Sequence, residues 1–491
     1  MTATPATPST TAATARAVAV FLGLFTLSRC LFAALGITFC TEHVAAFMHF
    51  PEPDLLRDRL VETLWHLHGQ PPLPSLVLGV CLQLGGDRWA DVLAAVLHGA
   101  VALGGASMVV VVIRCGGARW LAVALAMLWS LLPAVLVYEH YAFTTMPVAA
   151  LLLLACVPLA NTVSTGSGRA GFTFLLVLAA VVWTRNVFHL VWWLAAALLV
   201  WRAVRWPWRQ ALRVAALPLL VTVLPFAKNA IVHGTFASST WMGFGLARKM
   251  WHALPPEERA QRLQTGELPP IAAVPVFGGA AEFAAVVGMP EATGVPLLDR
   301  PTKATGHPNY HHAVYVRANA ALRAAALRQV LAHPDEYCAS VAATFAQCWF
   351  AANSWGPVAT PRAQLGAYAI VGDFLLHAPL PFVGVSAWSV LAAFAAVAAG
   401  LAAWRSWRRR QQGTAPSPRD VVTLFAVGTA IYVVVVAALL DSNEVMRLRL
   451  KIDGLLVVAV GLLAGAAVTP PQHHDVPRAS PGVMKRTDDI P

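Results

Sequence analysis

Apolar residues in this chain arrive in separated blocks of about twenty, the length a helix needs to cross a hydrocarbon core of roughly 30 Å. Of its 491 residues, 58% are hydrophobic and only 12% are charged, and the mean hydropathy is +0.62. A globular interior of this size has too little volume to hide that apolar load. Leu, Val and Ala run in continuous blocks instead of alternating, which argues against a membrane β-barrel. The expected fold class is an all-α polytopic membrane protein of about ten transmembrane helices.

The net charge of +11 does not describe a nucleic-acid surface, because the basic residues sit in short loops between spans. Arg114, Arg119, Arg169, Arg202, Arg205, Arg209 and Arg213 fall on one side when spans are counted consecutively. So do Arg405, Arg408, Arg409, Arg410, Arg419, Arg478, Lys485 and Arg486. By the positive-inside rule that side is the cytoplasm, and an even number of spans leaves both termini there.

The expected organisation is a disordered cytoplasmic leader (1–16), an N-terminal transmembrane module (17–233), a hydrophilic exterior insertion (234–380), C-terminal transmembrane helices (381–470) and a disordered tail (471–491). Spans are expected at 17–39, 89–113, 121–137, 145–159, 170–182, 187–201, 212–232, 383–404, 421–440 and 455–468. In the first exterior loop, Leu55, Leu56, Leu60 and Leu64 recur at helical spacing against Arg57, Asp58, Arg59 and Glu62, the pattern of a helix lying on the membrane surface. Pro71 and Pro72 then open an apolar piece ending at Gly85-Gly86, too brief to cross, which reads as a re-entrant or interfacial helix. The alanine-rich segment 318–350 has the character of packed helix. The seven cysteines have no framework spacing; Cys338 and Cys348 share the insertion, which leaves a pairing open.

Five polar clusters fall at exterior ends of spans. The first joins Glu42, Glu52, Asp54 and Asp58 to His68 and Gln70. The second is Glu139-His140-Tyr141, the third Arg185 with Asn186 and His189, the fourth Lys228-Asn229, and the fifth runs from Asp441 through Glu444 to Asp453. In the fifth, Arg447, Arg449 and Lys451 recur every second residue, so an extended segment would point all three the same way. Three cations at headgroup level suit a phosphate, with Arg able to grip it through paired donors; ordinary snorkelling anchors are the alternative. Arg185 interrupts an apolar hairpin, a costly place for a charge, and is either a turn marker or a second phosphate contact. Arg29, inside the first span, raises the question of a buried acid partner. Glu42 and Asp54 are candidate general bases, since a carboxylate at the membrane surface can take a proton from an incoming hydroxyl. His307, His311 and His312 invite a metal, but their spacing matches no helical two-histidine site and no Cys is near, so a loop shaping an acceptor pocket is preferred.

The first loop with its acids and surface helix, followed by His68-Gly69-Gln70-Pro71-Pro72-Leu73, resembles the GT-C superfamily of polytopic glycosyltransferases, which carry a His-Pro-Pro-Leu-like motif there. The hairpin from Leu132-Pro133 to Pro147 and the Thr184-Arg185 pair are similar to that superfamily too, and the resemblance covers most of 17–233 plus 444–453. Two departures stand out: Glu42 replaces the usual Asp pair, and the hydrophilic region lies between the seventh and eighth expected spans instead of at the C-terminus.

The resemblance implies transfer of a sugar from a polyprenyl-phosphate donor to an extracytoplasmic acceptor at a bacterial cytoplasmic membrane. Arg185, Arg447, Arg449 and Lys451 would hold the donor phosphate, and Glu42 or Asp54 would activate the acceptor. His68, Gln70, Glu139, His140 and Glu444 would support them, and an apolar groove between spans would take the prenyl chain. Membrane lipids are the other expected partners, with no nucleic acid. No cofactor is implied with certainty, and a divalent metal stays open. The competing classes are a transporter or flippase of a lipid-linked phosphate intermediate, which needs no base, and a noncatalytic scaffold of the same fold.

Overall fold

The structure is a computed structural model in which residues 8–379, 385–441 and 445–468 are described. Among them there are helices and three isolated β-bridges but no strand. The chain is a polytopic helical membrane protein. Among the described residues, six helices are long and apolar enough to cross a bilayer, or seven if one bent pair counts as a single span.

The first helix, α1, covers Pro8–Ala34, so the leader expected to be unstructured through residue 16 is helical from Pro8 onward. The expected disorder of 471–491 concerns residues outside those described. The surface helix of the first loop is two pieces, α2 (Pro53–Asp58) and α3 (Leu60–His66), because Arg59 leaves helical geometry at φ −134° and ψ 42°. The next helix, α4, covers Leu73–Gly85 and ends at Gly86, whose φ of +51° suits glycine. At thirteen residues it spans about 20 Å, too little to cross, and it packs between α2 and the long α5 (Trp89–Arg114).

The expected third span is the bent pair: α6 (Arg119–Ser130) and α7 (Pro133–Glu139) meet at 62°. Pro133 cannot donate to the turn before it, and Leu132 is extended at ψ 134°, so the helix breaks there. Next come α8 (Thr145–Thr165), α9 (Gly168–Thr184), α10 (Leu190–Val204) and α11 (Trp208–His233).

The insertion begins with α12 (Met242–Met250) and carries its own core, in which Trp241, Phe244, Trp251, Phe283, Tyr310 and Tyr315 pack together. The alanine-rich segment forms α13 (Val314–Ala332) and α14 (Pro334–Gln347), broken at Pro334, and α15 (Ala367–His377) follows. The chain ends in α16 (Ala387–Gln411), α17 (Pro418–Leu440) and α18 (Val445–Val468). All seven cysteines are free, with Cys338 exposed and Cys348 buried, so the two are not bridged.

The helix α18 is the axis of the bundle, packed against α5, α6, α8, α16 and α17. Its first turns nevertheless carry Arg447, Arg449, Lys451 and Asp453, each at most 2% exposed. Charges in such a place are expensive unless something pairs with them. The basic loops gather at the other end of the bundle. There Arg205 donates to the carbonyls of Gly413 and Thr414, Arg410 to that of Arg202 and Arg419 to that of Cys115, while Arg405 pairs with Asp420 at 2.7 Å.

Candidate functional site

The first loop and the insertion are stitched together along the His68-to-Leu73 stretch. His68 is fully buried; its Nδ1 is 2.8 Å from Thr240 Oγ1 and its Nε2 is 3.0 Å from the His311 carbonyl. Thr240 N–H donates to the His68 carbonyl at 3.0 Å, Ser239 Oγ to that of Gly69 at 2.6 Å, and Lys228 Nζ to that of Leu67. The Trp241 ring lies so close to Gly69 that a Cβ there would stand 2.3 Å from Cε2, a contact no side chain tolerates. His68 is thus a fastening, held neutral by burial among other histidines.

Past this fastening the motif divides. Gln70 lines a polar cleft of about 810 Å³ together with His49, Arg185, Asn186, Trp241 and Asp441. Leu73 and Pro74 line an apolar groove of about 880 Å³ between α4, α5 and α8. Thr184, the last residue of α9, faces the groove, and Arg185 after it faces the cleft. Phe143 forms the groove wall, and over its ring lie the guanidiniums of Arg447 at 4.5 Å and Arg185 at 5.7 Å from the centroid. The Arg447 head also lies 4.2 Å from the Trp355 ring centroid. Such stacking lowers the cost of burying a guanidinium without neutralising it.

The extended segment expected for 447–451 is a helix instead, and this corrects the geometry. A period of 3.6 residues puts Arg447 and Lys451 on one face and sends Arg449 to the opposite one. Arg449 pairs there with Asp453 at 3.2 Å, donates to the Cys348 carbonyl at 2.8 Å and lies over Trp388. It is apart from the other cations. Lys451 is 1% exposed and its Nζ has no hydrogen-bond partner among the described residues. Arg185, Arg447 and Asp441 are close enough to interact with it electrostatically.

Of the remaining candidates, Arg185 is 5% exposed and its Nη1 reaches Gln70 Oε1 at 3.5 Å. Glu139 is fully buried in a two-pronged pair with Arg29, whose Nη2 lies 2.5 Å from Oε2 and also donates to the Ser130 carbonyl at 2.8 Å. This is the acid partner that Arg29 required, and it fixes α7 against α1. His140 Nδ1 lies 2.8 Å from the Leu136 carbonyl. Asp54 is on the outer surface, 3.5 Å from Arg57, and stands apart from the cleft. Glu42 is exposed, one residue before His43, whose ring stacks on Tyr141 with centroids 3.6 Å apart. Tyr141 in turn interacts electrostatically with Arg447. Glu444 lies outside the described residues.

His49 is a central residue that sequence reasoning passed over. It is 8% exposed, stacks on Phe47, meets Phe143 edge-on at 5.1 Å, and its Nδ1 has no hydrogen-bond partner among the described residues. Burial, and then the fields of Arg185, Arg447 and Lys451, hold it far below the ordinary histidine range, so it is neutral at pH 7. Lys303 of the insertion fixes its backbone by donating to the Phe47 and Phe50 carbonyls, both at 2.8 Å, while Glu52 accepts from Ala304 N–H at 3.0 Å. Burial pulls Lys303 itself down to about 8. The faint signal was a histidine set among Phe47, Met48 and Phe50 in an otherwise acidic loop.

The 307–312 loop supports the cleft from below, with the His311 ring stacked on Trp241 at 5.6 Å. Among the described residues, no group of three or more His, Cys, Asp or Glu is arranged to hold a metal ion. Compared with family models, curated proteins and solved structures, the chain matches none.

Proposed function

We propose that this chain is a membrane glycosyltransferase that moves a sugar from a polyprenyl-phosphate donor to an extracytoplasmic acceptor. The observation that carries the reading is the junction at Thr184 and Arg185, adjacent residues of which one lines the apolar groove and the other the polar cleft, with the buried Arg447 and Lys451 near enough to Arg185 to interact with it electrostatically. A lipid phosphate has those parts in that order: an apolar chain for the groove, an anion for the cations, and a polar head for the cleft.

Arg185, Arg447 and Lys451 hold the phosphate, and neutral His49 adds a ring nitrogen beside it. As the acceptor oxygen attacks the anomeric carbon, the bond from that carbon to the phosphate oxygen breaks, and the phosphate passes from a phosphodiester monoanion to the dianion of the polyprenyl phosphate monoester that leaves. Fixed cations stabilise that growing charge more than they stabilise the bound donor, and each is worth roughly 100-fold in rate. Glu42, at the open edge near Tyr141, takes the proton of the acceptor hydroxyl. Asp54 is spoken for by Arg57 on the outer surface, and Arg449 serves α18 itself. The ten-span topology, with both termini cytoplasmic and the cleft outside, is supported by the gathering of basic loops at the end opposite the cleft.

The test uses purified protein in nanodiscs with decaprenyl-phosphoryl sugars, following release of decaprenyl phosphate. Glu42→Gln is expected to retain donor binding and lose turnover by 100-fold or more. A transporter of the same lipid would keep full transport in that variant and release no decaprenyl phosphate.

A further inference from the structure

Helical periodicity sorts the residues of α15 onto two faces. Ala369, Gly372, Asp373 and Leu376 turn inward. Ala369 is buried, Leu376 packs on the bundle core, Asp373 accepts from Arg362 Nη2 at 3.0 Å, and a Cβ on Gly372 would stand 2.4 Å from Pro133 Cγ. Ile370, Val371, Phe374 and Leu375 turn outward and are between 55% and 70% exposed. Four large apolar side chains held side by side mark a contact surface, because water does not favour such a patch. We infer that this surface rests on lipid acyl chains: α15, although part of the insertion, is embedded in the bilayer leaflet away from the basic loops.

Its depth follows from what it touches. Arg16 of α1 and Arg119 of α6 line one groove and so share a level, and arginines on spanning helices mark the edge of the hydrocarbon. Phe32 stands sixteen residues beyond Arg16, and Leu131 twelve beyond Arg119, which at 1.5 Å per residue places them about 24 and 18 Å inward. The Tyr368 ring meets Phe32 edge-on at 5.6 Å, and its hydroxyl donates to the Leu131 carbonyl. A hydrocarbon core is roughly 30 Å thick, so Tyr368 is inside it. The outward face of α15 also continues the lipid-facing surface of α1, where Leu31 and Leu35 flank Phe32 and are exposed.

Both ends of the helix are tied at the membrane boundary. Just ahead of it, Gln364 exchanges two hydrogen bonds of 3.0 Å with Thr38, beyond the end of α1. At its end the His377 ring stacks on Trp388 in the first turn of α16, and its Nδ1 lies 2.9 Å from the Trp349 carbonyl. The chain between Trp349 and α15 carries Trp355, the ring beside Arg447. An embedded α15 therefore holds that ring against the cationic cluster from the lipid side.

The experiment attaches nitroxide labels at Ile370→Cys and Phe374→Cys in the full chain in nanodiscs, with Cys30→Ala and Cys338→Ala removing the exposed thiols. Electron paramagnetic resonance then reads collisions with oxygen, which concentrates in hydrocarbon, and with a water-soluble nickel chelate, which hydrocarbon excludes. Both labels should collide with oxygen and lose access to the chelate, as a label at Leu31→Cys on α1 does. A label at Glu291→Cys, exposed elsewhere on the insertion, should collide with the chelate. Val371→Cys gives the same reading should either of the first two variants fail to fold. Chelate access on α15 would put the helix in water, and protection from both reagents would mean that a partner protein or a second copy covers it; either result overturns the inference.

Discussion

Phe143 carries the Arg447 guanidinium 4.5 Å from its ring centroid and also lines the apolar groove. One aromatic residue thus touches both a place for hydrocarbon and a buried charge. A ligand that binds here has to join the two within its own length, as a prenyl phosphate does.

The groove should measure chain length. Ala100 lines it and is half-buried, so Ala100→Trp fills space without touching the cations. Each buried methylene contributes about 0.8 kcal/mol. Loss of two such groups weakens decaprenyl phosphate roughly tenfold. Titration with a five-carbon prenyl phosphate should show less than a twofold change, and an equal loss for both chains would put the hydrocarbon elsewhere.

The Arg29–Glu139 pair should behave as a structural element. Glu139→Gln leaves a buried guanidinium uncompensated and is expected to cost roughly 3–5 kcal/mol, whereas Arg29→Met with Glu139→Leu recovers most of it. Thermal unfolding in detergent reads both. A double variant no better than the single one would show that the charges do more than balance each other.

Much of the bundle could be read from the sequence, because apolar blocks, prolines and basic loops act locally. The short helix after Pro72 follows from residues close to where it acts, whereas the break at Pro133 falls inside a span expected to run unbroken over 121–137, and Arg59 divides the surface helix in two. The site was legible only in pieces. Arg185 and Gln70 stood out as polar residues in apolar surroundings, but alternation at 447–451 suggested an extended edge. Burial against five helices made it helix, and so divided Arg449 from its neighbours. His49, Trp241 and Trp355 depend on contacts between the first loop and the insertion, separations that no local pattern encodes.

Acid sensitivity should trace to the histidines beneath the cleft. Burial, aided by Lys303, draws His311 down to about 3 from its ordinary 6.5, so between those values the unfolded chain binds a proton that the folded chain refuses. Stability is therefore intact above pH 6.5 and is lost as the pH falls, by about 1.4 kcal/mol per unit for one such group. Neither ring nitrogen has a hydrogen-bond partner among the described residues, so His311→Phe keeps the stack on Trp241 and sacrifices none of the described hydrogen bonds. Unfolding midpoints at pH 7 and pH 5 should differ by ~2 kcal/mol less in the variant. An unchanged difference would assign the acid response to other groups.

The most direct test is Lys451→Met, examined for both stability and binding. The ammonium is buried with no hydrogen-bond partner among the described residues. Its burial costs free energy in the empty protein and is offset only when an anion arrives. The expected result is a variant with a higher melting temperature without ligand and an affinity for decaprenyl phosphate reduced roughly 10- to 100-fold. Unchanged affinity, or a variant less stable than the parent, would contradict the assignment of this cluster as a phosphate site.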